Sequence, residues 1–156
     1  MNRHYTVEFY LDQIENISQS FKNPFLGSDI IAGFVGETDE DFLITVENLK
    51  KSKLSRIHTF PYSIRKGTTA AHMNGHINDK VKEERADIIK KISNEKYNNF
   101  IKQNIGTLQE VLIEKNPDKR TGMFKGVTRN YLNVILKEGN FNSIQNVILT
   151  EDNIIY

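Results

Sequence analysis

Apolar residues at Val7, Tyr10, Leu11, Ile14 and Ile17 recur at helical spacing, so the chain is predicted to open with an amphipathic helix behind Thr6 as N-cap. Pro24 follows the helix end, and "FLGSDIIAGF" after it is almost wholly apolar. Such a run predicts a parallel-sheet strand covered on both faces. Thr38 starts a second helix, with Asp41 three residues on as the acidic half of a capping box and Phe42, Val46 and Leu49 as its buried face. "LSRIHTFPYS" predicts the next strand, stopped by Pro61, which completes a βαβ unit. "IRKGTTAAHMNGHIN" lacks any period and reads as a loop. Asn78 or Asp79 then caps a long third helix, with Val81, Ile88, Ile92 and Phe100 as its inner stripe. After about Asn104 the pattern shortens. "TLQEVLIEK" reads as a strand, "NPDKRTGMFKG" as a turn-rich loop, "RNYLNVILK" as an alternating strand and "IQNVILTEDNIIY" as one or two more, the pattern of a small barrel or sandwich.

These elements predict an α/β part over residues 1–103 and a small all-β part over residues 104–156. Two parallel strands are too few for a doubly wound sheet, and a closed α/β barrel takes ~250 residues. They also leave edges that natural proteins avoid. The first part therefore either oligomerises or is the back part of a larger α/β fold, and we take the second reading. Composition narrows the chemistry. The 156 residues include no cysteine, which removes thiolate nucleophiles, zinc ribbons and cysteine-held clusters from this chain. Net charge is +1; residues 1–102 carry 15 basic and 14 acidic side chains and residues 103–156 carry 6 of each, so global electrostatics make no case for nucleic acid. No apolar run approaches the ~18 residues of a membrane span, and no signal region opens the chain, which reads as cytosolic.

Three stretches offer chemistry. In "GFVGET", Gly33 and Gly36 either just permit a tight strand-to-helix turn or let a ligand approach free N–H groups at a helix N-terminus. In "FPYSIRKGT", Phe60 and Tyr62 flank Pro61 at a strand's end. Arg65 lies in the loop beyond, either solvated or as a bidentate donor to phosphate or carboxylate. Both loops follow the carboxyl ends of strands, where α/β sheets place their ligand crevice; Asp29 and Glu37 are candidate neighbours there. In "GVTRNYLNV", Arg129 and Tyr131 sit at a turn-to-strand junction near Lys125. Tyr131 either joins the small barrel's core or stacks on a base while the cations meet phosphate. His72 and His76, spaced i, i+4, lie in a glycine-containing loop and do not read as a metal pair. His58 reads as a packed or hydrogen-bonded strand histidine.

The order "MNRHYT", "DIIAGFVGETDEDF", "HTFPYSIRKGTTAAHM", a long charged helix and "GVTRNYLNV" resembles the rear part of the radical-SAM tRNA methylthiotransferases along nearly the whole chain. The wording from His58 to Thr68 is most similar to the threonylcarbamoyladenosine-type branch. That resemblance implies a partial radical-SAM α/β barrel, TIM-like in design, over residues 1–103 and an RNA-binding TRAM barrel over residues 104–156. It implies 2-methylthiolation of N6-threonylcarbamoyladenosine next to the tRNA anticodon, using S-adenosylmethionine and two iron–sulfur clusters. Ile31, Gly33, Phe34, Gly36, Glu37, Phe60 and Tyr62 would lie around the adenosyl part, and Arg65, Lys125, Arg129 and Tyr131 would face RNA. Against the superfamily's G-x-I-x-G-x-x-E strand, Asp29 replaces the first glycine and Gly36 the glutamate, with Glu37 one place later. In the family the cluster-binding cysteines lie upstream. The chain therefore reads as a C-terminal fragment, with no metal ligand or catalytic residue of its own, inactive alone. Its alternatives are an RNA-binding module or one half of a split enzyme, with a separately encoded N-terminal half as partner.

Overall fold

The computed structural model describes residues 3–155, so Met1 and Asn2 of the "MNRHYT" motif and the final Tyr156 lie outside the described residues. The chain divides into two compact units, one ending at Tyr97 and the other beginning at Asn98.

In the first unit, α1 (Val7–Ser20) begins where the Thr6 hydroxyl accepts the Phe9 N–H at 3.3 Å. β1 (Gly27–Ala32) and β2 (Arg56–Pro61) form a parallel pair in the register Gly27–Arg56 to Ala32–Pro61, joined through α2 (Asp39–Lys51). A short 3-10 turn, Thr69–His72, interrupts the following loop, and Asn78 accepts the Lys80 N–H at the start of α3 (Asp79–Asn104). Ile14, Ala32, Phe42, Leu49, Leu54, Ile57, Ala86, Ile89 and Ile92 make one core. Among the described residues no helix is long and apolar enough to cross a membrane.

Two expectations fail here. The sheet is not covered on both faces. Ile30, Ala32 and Ile57 pack against the core, while Asp29, Ile31, His58 and Phe60 are exposed on the other face, Phe60 at 54%. The apolar run reflects a second face that nothing among the described residues covers. The inner stripe of α3 is also different. Ile88 is 42% exposed, and the buried line is Lys82, Arg85, Ala86, Ile89, Ile92 and Ser93. Half of that line is polar because each polar member has a partner. Ser93, for example, donates to the Ile57 carbonyl and accepts the Ile57 N–H, both at 2.9 Å, so α3 satisfies backbone groups that β1 leaves unpaired.

The second unit is a four-stranded antiparallel sheet in the order β5-β4-β3-β6, from β3 (Leu108–Ile113), β4 (Phe124–Thr128), β5 (Asn133–Leu136) and β6 (Ile144–Ile148). Past β6 the chain returns to the far edge strand: Ile154 bridges Val134, and Ile135 N–H donates to the Asn153 carbonyl at 2.8 Å. Phe100, Ile101, Val111, Ile113, Leu132, Val134, Leu149 and Ile154 are its buried apolar residues. β4 begins inside "NPDKRTGMFKG", the stretch expected to be a turn-rich loop. Gly126 is in fact a strand residue under close packing: a Cβ there would lie 2.5 Å from Val111 Cγ1 and 2.8 Å from the Leu112 carbonyl oxygen. Residues 129–132, expected at the start of the alternating strand, form the turn joining β4 to β5.

Candidate functional site

The turn from β1 into α2 is built on two left-handed glycines, Gly33 (φ +71°) and Gly36 (φ +83°). A Cβ on Gly33 would lie 2.6 Å from Lys82 Cγ, so the glycine also admits α3. The reading of this turn as a free anion cradle does not hold. Gly33 N–H donates to both Glu37 carboxylate oxygens, at 3.1 and 3.3 Å, and Gly36 N–H to the Gly75 carbonyl at 3.1 Å. Thr38 and Asp41 close a reciprocal capping box, so those N–H groups are satisfied too. Glu37 is turned back into the protein. Arg85 of α3, its side chain 7% exposed, donates to Glu37 Oε1 and to Asp39 Oδ1, each at 2.6 Å, and to the Glu37 carbonyl at 3.2 Å. Burial acts to lower the Arg85 pKa, but the hydrogen bonds it donates to Asp39 and Glu37, with their charges, outweigh it and the net shift is upward. Sequence reading missed Arg85, which lies in the long charged helix but outside the inner stripe expected for it. Its spacing from Ile89 and Ile92 was the available signal.

Beyond the same strand ends lies a cavity of about 510 Å³ lined by Ile31, Phe34, Phe60, Tyr62, Ser63 and Arg65, among others. Five candidates chosen from sequence therefore meet there: Ile31, Phe34, Phe60, Tyr62 and Arg65. Gly33, Gly36 and Glu37 shape the turn beside it and do not line it. Phe34 meets the Tyr62 ring edge-on at 5.0 Å, His76 stacks against that ring at 6.2 Å, and Lys82 Nζ sits 5.6 Å over it. The Tyr62 hydroxyl is buried without a hydrogen-bond partner. An apolar, ring-lined slot of this size with a guanidinium at its wall suits a flat heteroaromatic group joined to something polar or anionic.

Asp29 and Glu37 do come together, lining a second cavity of about 310 Å³ with Tyr5 and Tyr10. His58 is not packed. It is exposed, opposite Asp29 across the two strands. Among the described residues no group of three or more His, Asp or Glu is placed to hold a metal ion, and the sequence has no cysteine. A cluster therefore does not fit the donors present.

In the second unit Tyr131 is 69% exposed and has φ +62°, so it is a surface residue and not part of the core. Arg129 Nε pairs with Glu110, and Lys125 Nζ lies 3.5 Å from Glu114. Both candidate cations thus have acidic partners on β3 or just past its end.

No protein-family model matches the chain. It is 34% identical over 139 residues to the threonylcarbamoyladenosine tRNA methylthiotransferase MtaB of Bacillus subtilis (strain 168), covering 88% of this chain and 31% of that protein. To tRNA-2-methylthio-N(6)-dimethylallyladenosine synthases it is 37% identical in Pelotomaculum thermopropionicum, over 86% of this chain and 30% of the relative. In Caldicellulosiruptor saccharolyticus the identity is 40%, over 83% and 27%. The chain thus spans just under a third of the length of the curated relatives it matches.

Proposed function

The chain is a homologue of a C-terminal portion of the tRNA methylthiotransferases, and on that premise we propose that it forms the adenosyl-facing wall and RNA-binding unit of such an enzyme. In this reading residues 1–103 are part of a radical-SAM α/β barrel and residues 104–156 a TRAM barrel. The substrate is tRNA carrying N6-threonylcarbamoyladenosine beside the anticodon, which receives a 2-methylthio group in the cytosol. S-adenosylmethionine, when bound, supplies the radical and methyl chemistry. Ile31 and Phe60 form an apolar floor for its adenine, and Phe34 and Tyr62 a ring wall. The unpartnered Tyr62 hydroxyl offers a donor toward a ring nitrogen. Arg65 meets RNA phosphate at the mouth. The two iron–sulfur clusters do not fit the donors of this chain, so another part of the enzyme holds them. A separately encoded N-terminal half is one source, and the open face of β1 and β2 is where it docks. Alone, this segment does not turn over.

What supports the reading is the convergence of Ile31, Phe34, Phe60, Tyr62 and Arg65, from the ends of β1 and β2 and the loops that follow them, on one cavity. Titrating the isotope-labelled chain with S-adenosylhomocysteine should shift the amide resonances of Ile31, Phe34, Phe60 and Tyr62 selectively. Saturating ligand with no change at these four positions overturns the site. A second reading, an RNA-binding module without catalytic role, is favoured by the lack of cysteine. Co-expression with the cysteine-bearing front of a relative separates the two: recovered methylthiolation supports the enzyme reading, and RNA retention without it supports the module.

A further inference from the structure

β6 ends the order β5-β4-β3-β6 with one edge that no other strand among the described residues pairs. Ile113 N–H donates to the Ser143 carbonyl at 2.8 Å and Leu149 N–H to the Thr107 carbonyl at 3.0 Å, so the odd-numbered residues here bond toward β3. In an antiparallel ladder the alternate residues point the other way. The N–H and C=O groups of Ile144, Asn146 and Ile148 therefore face the open edge. Of these, the Ile148 carbonyl accepts Asn153 Nδ2 at 2.9 Å and keeps a second lone pair. The side chains of the same three residues stand on the exposed face of the sheet. Natural edge strands usually carry a lysine, a proline or a bulge against pairing with another chain. Here residues 140–150, "NFNSIQNVILT", have no charge and no proline, in a chain that is 26% charged.

We infer that β6 is a self-association edge, pairing antiparallel with β6 of a second copy of this chain about a twofold axis at Asn146. The residues select that register. Centred on Asn146, the pairing sets Ile144 opposite Ile148 of the second copy and exchanges N–H and C=O at all three positions. Moving the axis to a neighbouring residue would set isoleucine against asparagine. Each isoleucine already neighbours a leucine of β3, Leu112 beside Ile144 and Leu108 beside Ile148. The pairing joins these into two rows of four apolar side chains across the two copies. Between the rows the two Asn146 amides meet, and an amide, being donor and acceptor at once, complements itself. The nearest charge on that face, Glu110 opposite Asn146 on β3, is paired with Arg129. An acidic or basic segment finds no counter-charge along β6, and a second copy meets no like charge there. That self-complementarity selects the second copy as the occupant.

The test is sedimentation velocity of the full chain over a concentration series. A strand-to-strand contact of this length is smaller than a standard interface, so a reversible dimer in the micromolar range is expected. Asn146→Lys sets two like charges on the axis and should weaken dimerisation by about fivefold or more. Asn146→Pro removes the central outward N–H, which β3 does not use, and should weaken it similarly. Because the sequence has no cysteine, Asn146→Cys reads the register directly. Two cysteines facing across the axis come within disulfide reach and should give a covalent dimer under mild oxidation. Asn142→Cys, off the axis at the turn before β6, should not. An exclusively monomeric chain overturns the inference. So does a dimer that both the lysine and the proline variants leave intact, or one that Asn142→Cys captures as readily as Asn146→Cys. A chain that stays monomeric, with β6 amides that shift only when RNA is added, gives the edge to RNA and not to a second copy.

Discussion

Glu37 and Arg85 decide what the first turn is for. A glutamate at a strand's end invites assignment to a ligand, but its carboxylate is occupied by Gly33 N–H and the Arg85 guanidinium. Its work is to fix the turn so that Phe34 can line the cavity. Glu37→Ala removes the more buried partner of Arg85. The expected cost is about 2–3 kcal/mol, below the ~3–5 kcal/mol of a fully orphaned buried charge because exposed Asp39 still pairs with the arginine. Gly33→Ala meets two objections together, a positive φ and a clash with Lys82, and should lose about 1–3 kcal/mol. Urea denaturation of each variant reads both values; a midpoint unchanged from the parent would remove Arg85 or α3 from the account of the turn. The glycines and the glutamate were visible in the sequence. Their partners were not, since Arg85 lies 48 positions from Glu37.

Among the elements, α2 was the most legible. Thr38 and Asp41 form the reciprocal cap that their three-residue spacing announces. At its other end Lys96 of α3 donates to the Lys50 and Ser52 carbonyls, at 3.1 and 2.7 Å, a contact no local pattern signals. The Asp41 carboxyl is held below the usual carboxylate range, first by the Thr38 backbone N–H and then by its hydroxyl. A folded-state pKa below the unfolded one adds stability at neutral pH that is lost as pH falls through the folded value. Asp41→Asn should therefore lower the urea midpoint at pH 7 and differ little from the parent well below about pH 4. A constant gap across that range would show that the charge is irrelevant to the cap. β4 and the buried line of α3 were illegible for one reason: Gly126, Lys82, Arg85 and Ser93 look like loop or surface residues until a neighbour supplies the packing or partner that buries them.

For the whole molecule, the notable feature is apolar surface left in the open. Ile31 and Phe60 face outward from the first unit's sheet. In the second, Leu108 pairs with Ile148 and Leu112 with Ile144 across β3 and β6, with exposures of 48–64%. Exposed apolar pairs of this kind favour association. Replacing Leu112 and Ile144 together with threonine, which keeps strand propensity, should raise the concentration at which the chain remains monodisperse in light scattering. The thermal midpoint should change little, because neither side chain belongs to the core; a large drop would mean that this face is buried. By itself the sequence determined the helix starts, the βαβ unit, the change to short strands and the family resemblance, because caps, periodicity and motif order are local properties of a chain. Only the tertiary structure decided that the glycine turn is closed to anions and that five candidates share one cavity. It alone revealed that Tyr131 is exposed, on a turn whose Asn130 side chain donates to Asn104 from 26 residues earlier. Those facts depend on which distant groups satisfy each N–H and fill each gap, and a hydrogen bond or a packed surface has no signature in the spacing of the residues that make it.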